Sequence, residues 1–297
     1  MVQNAQRLVD RARRYIQDPS GTAQGSTFND NDILDLLNEE QDELIATMVE
    51  GSEDYFGVKS DLAFQANVNS YPLFDGCLFL RKLVHLGGPS SEQAPSDAIE
   101  SRLIEGVQSP GGIATPSETD YFYALFGDNL DVQPTPTADL ASAMRLYAVA
   151  DPGPMLIETL GAGNLVDASN FKWTHQDAPF ENDILNGTRV HVVSGTGVGQ
   201  VRRVTDYDGA TKKVTVDTPF SPSLASGSKV ATETRVVRLF HNLLALGAAK
   251  RAKAVLEEST EQLERQYAAG FEKFEDFVYR SRTYAQRSIV PFDMDAF

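Results

Sequence analysis

The chain is short of several residue types at once. Its 297 residues include one cysteine (Cys77), one tryptophan (Trp173) and four histidines, and no apolar run approaches the roughly 20 residues of a membrane helix. A lone cysteine excludes an intramolecular disulfide or a thiolate metal cluster and fits a reducing compartment. His85, His175, His191 and His241 share no metal-ligand spacing, and none lies in an H-E-x-x-H arrangement. There is also no G-x-S-x-G elbow and no G-x-x-x-x-G-K-[ST] phosphate loop. Cys77 lies in an apolar run that reads as core rather than nucleophile, and Trp173 is compatible with stacking on a sugar or with capping a β-domain core. The first residues, Met1-Val2-Gln3-Asn4, lack the basic and apolar regions of a signal peptide, so a soluble, unexported chain is expected. No catalytic, cofactor-binding or metal-binding residue is expected, and a non-enzymatic role follows.

Basic charge is scarce as well. Lys plus Arg number 26 against 42 Asp plus Glu, a formal charge of −16, which excludes a basic nucleic-acid binder. Residues 28–160 hold 23 acidic and five basic side chains, so nearly all the excess, −18, falls in that block. A solvated acidic surface and a surface arranged to repel an anion both fit this distribution. With 41% hydrophobic and 23% charged residues, the composition is that of a folded protein, and the length suits one large domain or two smaller ones.

The apolar spacing predicts an amphipathic helix over residues 2–18, with Leu8, Val9, Ala12, Tyr15 and Ile16 inward and Arg7, Arg11 and Arg14 as an outer basic stripe. Phe28 before an Asn29 cap, with Asp30 and Asp32 in the first turn, starts a second helix that runs to about residue 49. Its apolar stripe is Ile33, Leu36, Leu37, Leu44 and Met48; Asp32, Asp35, Glu39 and Asp42 or Glu43 form an acidic stripe suited to solvent or to pairing with the basic helix.

The period then changes to that of strands. Runs at 61–71, 77–86, 121–126, 130–132 and 143–149 predict an antiparallel sheet, with a hairpin turn at Gly127-Asp128-Asn129 and a long loop over 87–116 carrying a helical turn near 98–107. Four more strands are expected at 188–193, 200–205, 212–217 and 229–234, with a hairpin at Asp208-Gly209. Gly195-Thr196-Gly197-Val198-Gly199 reads as a strand connection, because no helix follows to receive a phosphate. Two closing helices, 239–255 and 256–284, are expected to pack on the first two, small residues such as Gly247 and Ala248 permitting close approach. After Pro291 a regular helix is excluded. Val290, Phe292, Met294 and Phe297 make an apolar tail over 288–297 that suits either a frayed end or docking on a partner, and docking is the expectation its apolar content favours.

Several of these segments, in order, resemble the head-to-tail adaptor (connector) proteins of tailed bacteriophages: Phe28-Asn29-Asp30-Asn31-Asp32-Ile33-Leu34 with Leu37-Asn38-Glu39-Glu40-Gln41; Tyr71-Pro72; Tyr123-Ala124-Leu125-Phe126-Gly127-Asp128-Asn129-Leu130 leading to Pro134-Thr135-Pro136; Leu146-Tyr147; and the alanine-rich helix at 243–252. The likeness covers most of 1–160 and 236–297. Residues 194–204 with 207–211 and 214–216 look like a small β-module that recurs in phage virion proteins and that shorter adaptors lack.

The resemblance implies an α+β fold: a helical bundle from the N- and C-terminal helices with an antiparallel β region (1–160 and 235–297) and an inserted all-β domain (161–234). It also implies a structural virion protein of the neck, made in the host cytoplasm, that forms a homo-oligomeric ring, commonly of twelve subunits. Its partners would be the portal protein above and a tail or stopper (nozzle) protein below, with double-stranded DNA passing through unbound and no membrane contact. The tail residues Val290, Phe292, Met294 and Phe297 would dock on the portal, and Arg7, Arg11 and Arg14 would pair with Asp32, Asp35 and Glu39 within or across subunits. Two other readings fit the class: an adaptor with accessory peptidoglycan hydrolysis, and a tail or baseplate component.

Overall fold

A computed structural model of the chain describes residues 4–18, 27–51, 56–85, 122–133 and 135–287. The first helix, α1 (Ala5–Ile16), starts where the Asn4 side chain accepts the Arg7 N–H at 3.0 Å and stops at Gln17, whose left-handed backbone (φ 60°) turns its N–H back to the Arg13 carbonyl. Leu8, Val9, Ala12 and Ile16 are buried as their spacing requires, and so is Arg13. Its guanidinium donates to Asp18 and to the Phe28 carbonyl, each at 2.8 Å, and to Asp30 at 3.0 Å. Those bonds fasten the end of α1 to the start of α2 (Asp30–Gly51).

The α2 cap is reciprocal. Asn29 Oδ1 accepts the N–H groups of Asn31 (2.8 Å) and Asp32 (3.0 Å), while the Asp32 carboxylate accepts the Asn29 N–H at 2.7 Å. Asn29→Ala removes one half of this exchange and is expected to lower stability by about 1 kcal/mol, measured as a shift in the urea midpoint of the full chain.

Two helices close the chain, α3 (His241–Val255) and α4 (Glu261–Arg287). They are separated at 256–260, where Glu257 takes a left-handed conformation (φ 55°), so α4 begins later than its apolar pattern suggests. Helix α3 packs on α1, α2 and α4, and α4 also packs on α2. Ala245, Gly247, Ala248, Ala249 and Ala252 are the buried small residues of α3 that let the other helices approach. Leu263, Phe274 and Val278 are the buried anchors of α4, with Phe240 edge-on to Phe274 at 4.9 Å.

The chain divides into two compact units. The first, Met1–Tyr55 with Pro152–Phe297, combines the four helices with six strands: β7 (Ile157–Thr159), β8 (Asn170–Lys172), β9 (Arg189–Ser194), β10 (Val201–Asp208), β11 (Lys213–Val216) and β12 (Lys229–Thr232). These pair antiparallel in the order β7-β12-β9-β10-β11-β8. The sheet curls into a half-barrel whose two ends are held together by polar bonds. Glu158 on β7 accepts the Thr174 N–H (2.8 Å) beyond β8, and Asn164 donates to both Glu158 and the Lys172 carbonyl. Phe171, Trp173, Tyr207, Val190, Val214 and Val230 fill the interior. Trp173 is 1% exposed and edge-on to Phe171 at 5.2 Å, which places it in the core and not on a sugar-binding surface.

The glycine run joins β9 to β10 with Gly195, Gly197 and Gly199 all at φ between 80° and 87°. A side chain on Gly195 would also meet the Ser228 backbone, so the run is a tight strand connection.

The second unit, Phe56–Asp151, contains β1 (Gly57–Phe64), β2 (Ser70–Pro72), β3 (Cys77–His85), β4 (Phe122–Phe126), β5 (Asn129–Gln133) and β6 (Leu140–Ala150). They form two antiparallel sheets, β1-β6-β3 and β2-β5-β4. The run expected at 61–71 is broken into β1 and β2, with Asn67 left-handed (φ 65°) between them. Gly127 (φ 59°) and Asp128 form the two-residue turn from β4 to β5. Tyr71 stacks on Phe64 at 5.2 Å and its hydroxyl donates to the Val68 carbonyl at 2.8 Å. Cys77 is half-buried, and burial pushes its thiol up, away from a reactive thiolate. The long loop expected at 87–116 lies outside the described residues.

Candidate functional site

The candidate surfaces are those that carry charge or exposed apolar side chains. Among the described residues no group of three or more His, Cys, Asp or Glu is placed to hold a metal ion, and no helix is long and apolar enough to cross a membrane.

The sequence-predicted charges separate into distinct environments. Arg7 and Arg14 are exposed on α1, Arg14 donating to the Asp10 carbonyl at 3.2 Å. Arg11 is half-buried and reaches Asn242 on α3 at 3.3 Å. On α2, Asp32 serves the Asn29 cap. Burial and the nearby Asp177 carboxylate push the exposed Asp35 carboxyl up. Glu39 pairs with Arg251 on α3 at 3.3 Å. The acidic stripe of α2 therefore finds an intramolecular cation on α3, a partner absent from the sequence reading.

That cation is the centre of a lock between three helices. Arg251 donates to Glu39 and Glu40 at 3.3 Å each and also to Glu43, while Tyr267 on α4 donates to Glu40. Glu40 is fully buried. Burial drives its carboxyl pKa upward against the pull of Tyr267 and Arg251. Gly247 on α3 stands directly against this carboxylate, so the small residue there makes room for a buried acid rather than only for a helix backbone.

The opposite side of α2 fixes the half-barrel to the helices. Gln41 donates to the Gly153 carbonyl (3.1 Å) and accepts from Thr234 Oγ1 (2.7 Å), and Asn38 exchanges two bonds with the Met155 backbone. Lys229 on β12 meets Asp30 at 3.2 Å. Burial works to raise the Asp30 pKa, but Lys229 and Arg13 outweigh it and hold that carboxyl below its usual range. Sequence spacing could not have found Arg13, Glu40, Gln41 or Arg251, because each partner lies in a different element.

A cleft of about 570 Å³ runs between α1 and the β9–β10 connection, lined in part by Gln6, Arg7, Asp10, Arg189 and His191. A second, of about 400 Å³, lies beside it over Gly187, Arg189, Arg203, Glu233 and Arg235. In the other unit the end of β4 carries Leu125 and Phe126 exposed, Phe126 at 78%. Val290, Phe292, Met294 and Phe297 lie outside the described residues.

The sequence matches the family described as SU10 adaptor protein over residues 3–291. The chain belongs to that family, which is the phage adaptor class its motifs resemble. No curated protein and no solved structure matches it.

Proposed function

We propose that this chain is a structural subunit of the phage neck, forming the adaptor ring below the portal that links capsid to tail and lines the DNA channel. The observation that carries the reading is the family match across nearly the whole chain. In this assembly the four helices act as a bundle built from the two chain ends, the β-module at 161–234 is an insertion in it, and about twelve copies close the ring.

The polar lock around Glu40 and Arg251 supports a rigid building block: a buried carboxylate with its donors tolerates few alternative packings. Residues 288–297 reach the portal through Val290, Phe292, Met294 and Phe297. The opposite face receives the tail or stopper protein. Exposed charges of α1 and α2, Arg7, Arg14 and Asp35 among them, meet neighbouring subunits. Catalysis plays no part in this role.

Portal rings incubated with the purified protein should sediment as a joint complex; portal rings that sediment alone overturn the reading. The channel claim has its own test. If the acidic 28–160 block faces the lumen, the protein should show negligible affinity for duplex DNA at about 150 mM salt, where the Debye length is about 8 Å and repulsion acts only near the wall. Tight, salt-sensitive binding in a fluorescence anisotropy titration would contradict it, because such binding requires many phosphate contacts.

A further inference from the structure

The cleft over Gly187 concentrates positive charge in an acidic protein. Gly187 is at φ 79° and has no side chain. Had it a Cβ, that atom would lie 3.3 Å from Arg203 Nη2 and 3.7 Å from both Nη atoms of Arg235. Two guanidinium groups are thus held over one patch of bare backbone. Arg235 is fixed there: its Nε donates to Thr188 Oγ1 at 3.2 Å and its Nη2 to the Asn186 carbonyl at 2.6 Å. Arg203 projects from β10 and is exposed.

Neither guanidinium has a carboxylate within ion-pair distance among the described residues. The one acid on the rim, Glu233, is turned toward Arg189 (3.8 Å) and His191 (3.5 Å). Burial, and after it the Arg203 charge, depress the Arg235 pKa, and the weaker pull of the Glu233 carboxylate does not offset them. Holding two such groups together opposes folding unless something offsets their repulsion. A carboxylate does so with the best geometry, since its two oxygens match the parallel N–H pairs of a guanidinium.

We propose that the Arg203–Arg235 cleft is a docking site for a carboxylate-rich segment of a protein partner. The cleft, about 400 Å³, has room for one or two acidic side chains and opens directly to solvent through Arg203. A polyanion is disfavoured there, because Glu233 stands on the rim and the chain carries −16 overall. A short acidic segment brings only the charges that the two arginines can meet.

The test is a fluorescence anisotropy titration of the full-length protein with a labelled, end-capped peptide carrying two adjacent glutamates between neutral residues, at about 50 mM salt, where exposed charges remain effective. Saturable binding is expected, weakened about tenfold in Arg203→Gln, the loss of one charge-assisted contact. Arg203→Lys, which keeps the charge but not the fork, should fall between. Arg265→Gln, at an 84% exposed arginine on α4, should match the parent. Circular dichroism melting confirms that each variant folds. Equal binding by parent and Arg203→Gln would overturn the proposal, and so would the absence of saturation in the parent. Inorganic phosphate that displaces the peptide at matched ionic strength and lower concentration than free glutamate would make the cleft a phosphate site, which also overturns it. Ring assembly does not enter the readout, so this outcome is independent of the adaptor reading.

Discussion

Ending the chain at Ser288 is expected to abolish portal binding while leaving the fold intact. The last nine residues bring two phenylalanines, a valine, a methionine and an isoleucine. A large apolar side chain contributes about 1.5–3 kcal/mol when fully buried, so docking of several such groups accounts for at least a hundredfold in affinity after the cost of ordering the segment. Among the described residues the buried anchors of α4 are Leu263, Phe274 and Val278, all N-terminal to the truncation. The truncated protein should therefore melt at the parent's temperature by circular dichroism and fail to co-sediment with portal rings. Binding within a few-fold of the parent would show that the tail is not the contact.

Gly247→Ala is expected to destabilise the helices by about 3 kcal/mol, although glycine to alanine inside a helix ordinarily stabilises by about 1 kcal/mol. The sign reverses because of Glu40. A Cβ at position 247 would overlap the Glu40 carboxylate, which is fully buried and can move only by releasing Tyr267 or Arg251. Displacing a buried carboxylate from its donors leaves an uncompensated charge, and breaking pairs of this kind costs about 3–5 kcal/mol. The same added methyl on an exposed turn would do nothing of this size. The urea midpoint of the variant, followed by far-UV circular dichroism, should drop clearly below the parent; an unchanged or raised midpoint would mean that Glu40 has an alternative seat.

How much of this was legible in the sequence depends on the range of the interaction. The α2 start could be read because Asn29 and Asp32 lie three residues apart, and a reciprocal cap involves only neighbours. The Gly127-Asp128 turn was legible for the same reason. Strands β9 to β12 had enough alternation to be seen, whereas β7 and β8, three residues each, are shorter than any period can register. Each pairs with a strand distant in sequence, β7 with β12 and β8 with β11, so their placement belongs to the tertiary structure.

The charged helix faces show the limit most clearly. The spacing placed Arg7, Arg11 and Arg14 on one face of α1 and drew attention to them, but the arginine of α1 that is buried and fully engaged is Arg13. Likewise Glu39 was visible as part of an acidic stripe, while Glu40 beside it lies at the centre of the helix packing. Helical periodicity assigns a face; it does not say which charges are buried by a partner more than 200 residues away, as Arg251 is from Glu40. Arg203 and Arg235 were unremarkable in sequence for the same reason, because it is the strand order that brings them together over Gly187.

The central claim is that this chain forms the ring between portal and tail, and an electron cryomicroscopy reconstruction of the protein bound to its portal tests it most directly. The account predicts a closed ring of about twelve copies coaxial with the portal, density for residues 288–297 on the portal surface, and carboxylates of the 28–160 block facing the channel. Single copies scattered on the portal, or a ring whose channel wall is formed by the arginines of α1, would contradict it.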